Sequence, residues 1–248
     1  MKFGIDRLLS EPDLRKPLEG KRVALVAHPA SVTRDLEHSL DALVAAGVNV
    51  SSAFGPQHGL KGDKQDNMVE TDHVRHPVFD VPIYSLYGET REPTGAMLSG
   101  LDLLVIDLQD VGTRVYTYIH TMTNCLRACA AHGVPVVVCD RPNPVGGVGV
   151  EGAVLQPGFE SFVGLFPIPL RHGLTIGELA RLCNETFGLH ATLEVLPLEV
   201  QPCSAPKLFR VIGPAGVKEL NHSLLVFFEA PLKLPELLTD DLYLVTGD

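Results

Sequence analysis

The sequence predicts an α/β fold: a Rossmann-like parallel sheet with helices on both faces. Three observations lead there. The apolar runs are short and continuous rather than alternating, as in strands buried on both faces. They alternate with segments of helical periodicity, which demands right-handed crossovers and a parallel sheet. Several of them end in loops rich in His, Asp, Asn, Gln and Arg, where such sheets bind ligands.

The elements follow in order. Residues 22–27 (RVALVA) form the first strand, and residues 35–46 carry Leu36, Leu40, Leu43 and Val44 at helical spacing with Gly47 as the stop. Strands are expected over 48–54, 82–86 and 101–108. A helix over 117–132 closes at Gly133, and another strand spans 134–139. Residues 175–187 read as a helix with Thr175 as N-cap and Glu178 three places on, a capping box. The domain expected from these elements spans 1–200, leaving 201–248 as a divergent tail.

Composition narrows the function classes. The chain has 248 residues, 45% of them hydrophobic, with a formal net charge of −10. That is enough chain to bury a core, and the acidic balance excludes nucleic acid as the expected partner. No apolar run approaches the roughly 20 residues of a membrane span, and the N-terminus lacks the apolar stretch of a secretory signal. A cytoplasmic chain with no membrane partner is therefore expected. The 5 cysteines show no zinc-like spacing and read as buried thiols. Gly147, Gly149 and Gly152 match G-x-G-x-x-G, but DRPNPV precedes them and AVLQPGF follows, so the strand-to-helix context of a dinucleotide site is absent. No cofactor is expected.

Four strand ends on one sheet edge point to a site. The first ends in AHP (27–29), the second in FGPQHG (54–59), the next in DLQDVGTRVYTY (107–118) and the last in DRPNP (140–144). Together with IYSLYGETREPT (83–94), VEG (150–152), SFVG (161–164) and PLRHGLTIGELA (169–180), these ordered motifs resemble the domain-of-unknown-function 1343 family over about residues 4–200. Its characterised members are exo-β-N-acetylmuramidases of the NamZ type. The resemblance implies a Rossmann-like catalytic domain and a smaller C-terminal domain with the cleft between them. The implied substrate is a small amino sugar or muropeptide, whose terminal N-acetylmuramic acid is released from peptidoglycan fragments without a metal or cofactor. Relatives are often exported.

Two features depart from the family pattern. The family's PEHG glutamate, its leading catalytic candidate, is Gln57 here, and a carboxamide does not titrate. Asp63, Asp66 and Glu70 offer carboxylates on the next segment, read either as replacements or as solvated loop charge. The tail carries no family motif and the chain no Trp, so truncation or frameshift of the second domain is expected. The alternatives are a glycan-binding paralogue that does not cleave and a truncated product without function. The sequence does not set the oligomeric state.

Glycoside hydrolysis ordinarily needs two carboxyl groups, although some hexosaminidases recruit the substrate's acetamido group as nucleophile. Beside Gln57 and His58, the catalytic candidates are Asp107, Asp110, Asp140 and Glu151. If Asp107 and Asp110 face each other, one is raised in pKa. Asp140 reads equally as a brace of its loop, and Glu178 as the capping box alone. Arg114, Arg141 and Arg171 are candidates to grip the lactyl carboxylate of muramic acid, or to pair with Asp110 or Asp140. Gln109, Tyr116, Asn143 and His172 complete the binding candidates. His58 and His172 read as proton shuttles, substrate contacts or ordinary loop histidines. Tyr116 and Tyr118 can stack on a sugar, but at i, i+2 they do not share a helix face. A metal bound by His28, His58, Asp107, Asp110, Asp140 and His172 is weighed and not expected, because no local ligand pair is present.

Overall fold

The short apolar runs become buried strands. A computed structural model describes residues 1–60 and 73–199 in full, and residues 209–213, 216–218 and 243–246 as backbone strands. The strands of the first unit, Met1–Glu199, are β1 (Val23–Ala27), β2 (Val50–Gly55), β3 (Val74–Arg75), β4 (Pro82–Ser85), β5 (Leu103–Asp107), β6 (Val136–Cys139) and β7 (Leu193–Leu196). Every residue of β1, β5 and β6 is buried, as continuous apolar strands require.

The sheet order is β3-β4-β2-β1-β5-β6-β7. All neighbours run parallel except the edge strand β3, which is antiparallel to β4. From β1 the chain winds outward through β2 and β4, returns to lay β5 on the other side of β1, and continues through β6 to β7. This is the doubly wound order, and its switch point falls between β1 and β5. The carboxyl ends of β2, β1, β5 and β6 therefore share one edge, side by side.

The helices are α1 (Gly4–Ser10), α2 (Pro12–Arg15), α3 (Ser39–Ala45), α4 (Gly95–Leu98), α5 (Tyr118–His132) and α6 (Ile176–Thr186), with a 3-10 turn at Lys16–Leu18. Ile5 and Leu8 of α1 and Leu40 and Leu43 of α3 pack with Val23, Leu25, Val105 and Val137 in one core cluster. Alternate strand residues such as Ala24, Val26, Leu104 and Ile106 point the other way and are fully buried too. The sequence reading placed α5 and α6 closely. Gly133 ends α5 in the left-handed conformation, φ 67°, and Thr175 with Glu178 forms the capping box of α6. The four described cysteines are buried free thiols.

Three features differ from expectation. The helix expected over 35–46 begins only at Ser39, and Leu36 is 81% exposed with φ 64°. Residues 31–38 instead close a turn through Thr33 N–H to Glu37 O at 2.8 Å and a Val32–His38 bridge. Ser39 is then held at the end of β5, as shown below. Helix α1 and strand β7 were not anticipated. Gly4 permits α1, because a Cβ there would fall 2.4 Å from the Asp140 backbone nitrogen.

The second unit, Val200–Asp248, contains β8 (Phe209–Gly213), β9 (Gly216–Lys218) and β10 (Tyr243–Thr246), antiparallel in the order β10-β8-β9. Among the described residues no helix is long and apolar enough to cross a membrane.

Candidate active site

The ends of β5 and β6 are locked together by a buried ion pair. Arg141 donates Nε to Asp107 Oδ1 at 2.5 Å and Nη2 to Oδ2 at 2.8 Å. The two side chains are 2% and 0% exposed. Ser39 Oγ also donates to Asp107, Arg141 Nη2 reaches Val32 O at 2.7 Å, and the guanidinium lies 5.1 Å from the Phe3 ring centroid. Asp107 and Arg141 are thus engaged by each other, the bidentate geometry at which arginine excels.

Asp140 is engaged in the same way. Its Oδ1 accepts from Arg141 N at 3.0 Å and Gly177 N at 2.8 Å, and its Oδ2 from Thr175 Oγ1 at 3.1 Å. It docks the first turn of α6 onto the end of β6, where the helix dipole favours a carboxylate. Burial still lifts Asp140 to about 6. Glu178, accepting from Thr175 N at 2.8 Å, is lifted by burial to about 8.

A second group, on the loop that follows β5, is less saturated. Asp110 is 2% exposed; its Oδ2 accepts from Gly112 N at 2.7 Å and lies 3.2 Å from His172 Nε2. Its Oδ1 is buried and has no partner among the described residues. His172 Nδ1 accepts from Leu174 N at 3.2 Å, so its ring proton sits on Nε2, facing Asp110. Asp107 and Asp110 do not share a partner: one turns to Arg141 and the other to His172.

Gln57 joins this group from the end of β2. Thr117 Oγ1 donates to its side-chain oxygen at 3.0 Å, and the Tyr118 hydroxyl donates to its backbone oxygen at 3.2 Å. His58 follows with φ 71°. Tyr116 lies ahead of α5, not on it, so the helix-face rule does not apply, and its ring packs 4.6 Å from that of Tyr118. Burial raises both phenols. His28, at the end of β1, accepts from Gln109 N at 3.0 Å and sits edge-on to Tyr118 at 4.7 Å. Burial lowers His28 to about 4, so the ring is neutral. Gln109 caps the floor, donating to Asp110 O at 2.6 Å and Pro142 O at 2.9 Å.

The remaining candidates build the surrounding loops. Arg114 donates to Ala153 O at 2.9 Å and Ile168 O at 2.6 Å. Arg171 pairs with Glu151 at 2.8 Å and donates to Val145 O at 2.6 Å, and the Glu151 side chain is 68% exposed. Asn143 donates to Leu174 O at 3.0 Å and accepts from Val145 N at 3.1 Å. Gly149 and Gly152 of the glycine motif lie against Arg171 and Leu170 in this loop, with no helix following.

Sequence reasoning left Ser39 and Thr117 out of the site and weighed His28 only as a metal ligand. His28 carried a signal, since it follows the first strand as Asp107 ends the fifth; Ser39 and Thr117 carried none, because contacts across 68 and 60 residues place them. Asp63, Asp66 and Glu70 lie outside the described residues. Among the described residues no three His, Cys, Asp or Glu side chains are grouped to hold a metal ion.

The matched relatives share this unit. The chain is 47% identical over 197 residues to the peptidoglycan β-N-acetylmuramidase NamZ of Bacillus subtilis (strain 168), covering 79% of this chain and 47% of that protein. A crystal structure of a DUF1343 family protein from Bacteroides fragilis matches with a TM-score of 0.72 at 41% identity, covering 79% of this chain and 49% of that one. A second DUF1343 structure from that organism gives 0.67 at 32% identity, with 79% and 51% coverage. The chain spans about half the length of these relatives. Residues 23–203 match the family described as "Exo-beta-N-acetylmuramidase NamZ, N-terminal". A doubly wound sheet with its polar residues gathered at the switch point, matched over these residues, makes the chain a member of the NamZ N-terminal family.

Proposed function

We propose that this chain carries the catalytic domain of an exo-β-N-acetylmuramidase acting on small peptidoglycan fragments. The observation that supports the reading is 47% identity over 197 residues to a named peptidoglycan β-N-acetylmuramidase, with the family match over 23–203 covering the switch-point cluster. Asp110 and His172 are the proton-handling pair, because Asp110 offers a buried carboxylate oxygen that no described protein group engages. Asp107, Arg141 and Asp140 hold the strand ends in place.

The chemistry fits a substrate-assisted route, in which the acetamido oxygen attacks the anomeric carbon and the glycosidic C–O bond breaks. The Asp110–His172 pair supplies the proton that goes to the leaving oxygen. Water then opens the cyclic intermediate and returns a proton to the pair. Gln57, oriented by Thr117, holds a sugar hydroxyl or the acetamido group and transfers no proton.

A second reading, glycan binding without cleavage, is favoured by Gln57 standing where the family resemblance expects glutamate. Release of N-acetylmuramic acid from a MurNAc-β-1,4-GlcNAc disaccharide separates the two. The proposal expects turnover by the chain and a loss of about a hundredfold or more in Asp110→Asn, the usual scale of general acid–base catalysis. Turnover only after Gln57→Glu favours the binding reading. An Asp110→Asn variant as active as its parent removes Asp110 from the chemistry.

A further inference from the structure

The lactyl carboxylate of muramic acid calls for a cation, and the three arginines expected to supply it are committed elsewhere. Arg141 is bound to Asp107, Arg171 to Glu151, and Arg114 to two carbonyl oxygens, which leaves the buried Nε atoms of Arg114 and Arg171 as their donors without a partner among the described residues. The motif IYSLYGETREPT, so far without a role, contains a fourth. Arg91 lies with its guanidinium carbon 3.8 Å from the Tyr87 ring centroid and 5.2 Å from that of Phe162. The two rings are 5.4 Å apart. Within the loop its Nη1 donates to Gly88 O at 3.2 Å, and among the described residues it meets no carboxylate. Tyr87 is 2% exposed, so it is a fixed platform.

The placement suits a substrate contact. Loop 86–94 leaves β4 at the same sheet edge as the site, and Leu86 N donates to Gly55 O at 2.8 Å, two residues before Gln57. Asn124 of α5 donates to Arg91 O at 3.1 Å, while Thr117 and Tyr118 at the head of that helix hold Gln57. Seven residues of helix span about 10 Å, the scale of a small saccharide. An arginine stacked on aromatic rings keeps its in-plane N–H donors pointing outward and loses little rotamer freedom on binding a carboxylate.

We infer that Arg91, held by Tyr87 and Phe162, is the carboxylate-recognising residue of this site and grips the acid group that distinguishes muramic acid from glucosamine sugars. The inference rests on the amino-sugar reading above. The acid has two sources, the free lactyl group or the terminal carboxylate of a peptide stem, whose attachment turns the lactyl acid into an amide.

Titration calorimetry on the full chain tests this with N-acetylmuramic acid, its L-Ala-D-isoglutamine conjugate and N-acetylglucosamine. The expected result is that N-acetylmuramic acid binds more tightly than N-acetylglucosamine. In Arg91→Gln that margin shrinks by about tenfold, the scale of one charge-assisted pair, while N-acetylglucosamine binding stays unchanged and so reports an intact fold. Arg91→Lys, which keeps charge and loses the planar fork, recovers part of the margin. A loss confined to the conjugate assigns the peptide carboxylate instead of the lactyl group. A margin that survives Arg91→Gln together with unchanged binding of the conjugate overturns the inference and leaves the amino-sugar reading standing. Failure of the parent chain to bind any of the three sugars overturns that reading and the inference with it.

Discussion

Two aspartates three residues apart at the end of β5 have opposite environments. Asp107 has both oxygens engaged by Arg141 and a third donor in Ser39. Asp110 has one oxygen on Gly112 N and near His172, and the other buried without a partner among the described residues. A saturated buried ion pair is weak evidence for function and strong evidence that breaking it is costly. An unsaturated buried carboxylate is the reverse, since it is tolerated where something else supplies the missing partner. The lesson is that acidity and position at a strand end do not tell two carboxylates apart; their remaining hydrogen-bonding capacity does.

The largest effect that would sharpen this contrast is on stability. Asp107→Asn leaves the Arg141 charge buried and uncompensated and is expected to cost about 3–5 kcal/mol, read as a lowered midpoint in urea. Asp110→Asn keeps an acceptor for Gly112 N and loses no partner at Oδ1, so its cost is expected to stay within about 1 kcal/mol. Equal losses in the two variants would break the comparison.

The pH dependence of stability gives the next test. Glu178 is lifted in the folded state from 4.5 to about 8, and Asp140 from 3.8 to about 6. The folded protein binds those protons more tightly, so their contribution is full at acid pH and is lost as pH rises through these values. His28 is lowered from 6.5 to about 4. Its contribution is full above 6.5 and is lost as pH falls through about 4. Thermal midpoints from pH 4 to 8 are expected to show both limbs. Glu178→Gln should flatten the alkaline limb and His28→Gln the acid one; limbs that persist unchanged would assign them to other groups.

The smallest expected effect is at Leu36, outside both aspartate clusters. Its 81% exposure and φ of 64° predict that Leu36→Asn is neutral to stabilising by up to about 1 kcal/mol. A substantial loss in the urea midpoint would show that the side chain contributes to holding loop 31–38 and, through Ser39, the Asp107 brace.

Much of this architecture was legible in the residues. Continuous apolar runs identified the central strands, because burial on both faces leaves no polar alternation to read. Thr175, Glu178 and Gly133 marked helix ends through local geometry that needs no distant partner. Four polar strand ends identified the edge at which the structure gathers Gln57, His28, Asp107 and Asp140. The start of α3 was misread, since Leu36 kept the helical spacing while the turn at 31–38 was decided by hydrogen bonds to the ends of β1 and β5. Helix α1 and strand β7 carried too few residues to show a period.

The sequence by itself determined the sheet and the family, since both follow from short-range patterns of side-chain polarity and from ordered motifs. Only the tertiary structure decided which of the aspartates and arginines remain available. Asp107 met Arg141 across 34 residues and Arg171 met Glu151 across 20, and such pairings depend on which strands lie side by side. A charge's availability is a property of its neighbours in space, and spacing along the chain does not encode them.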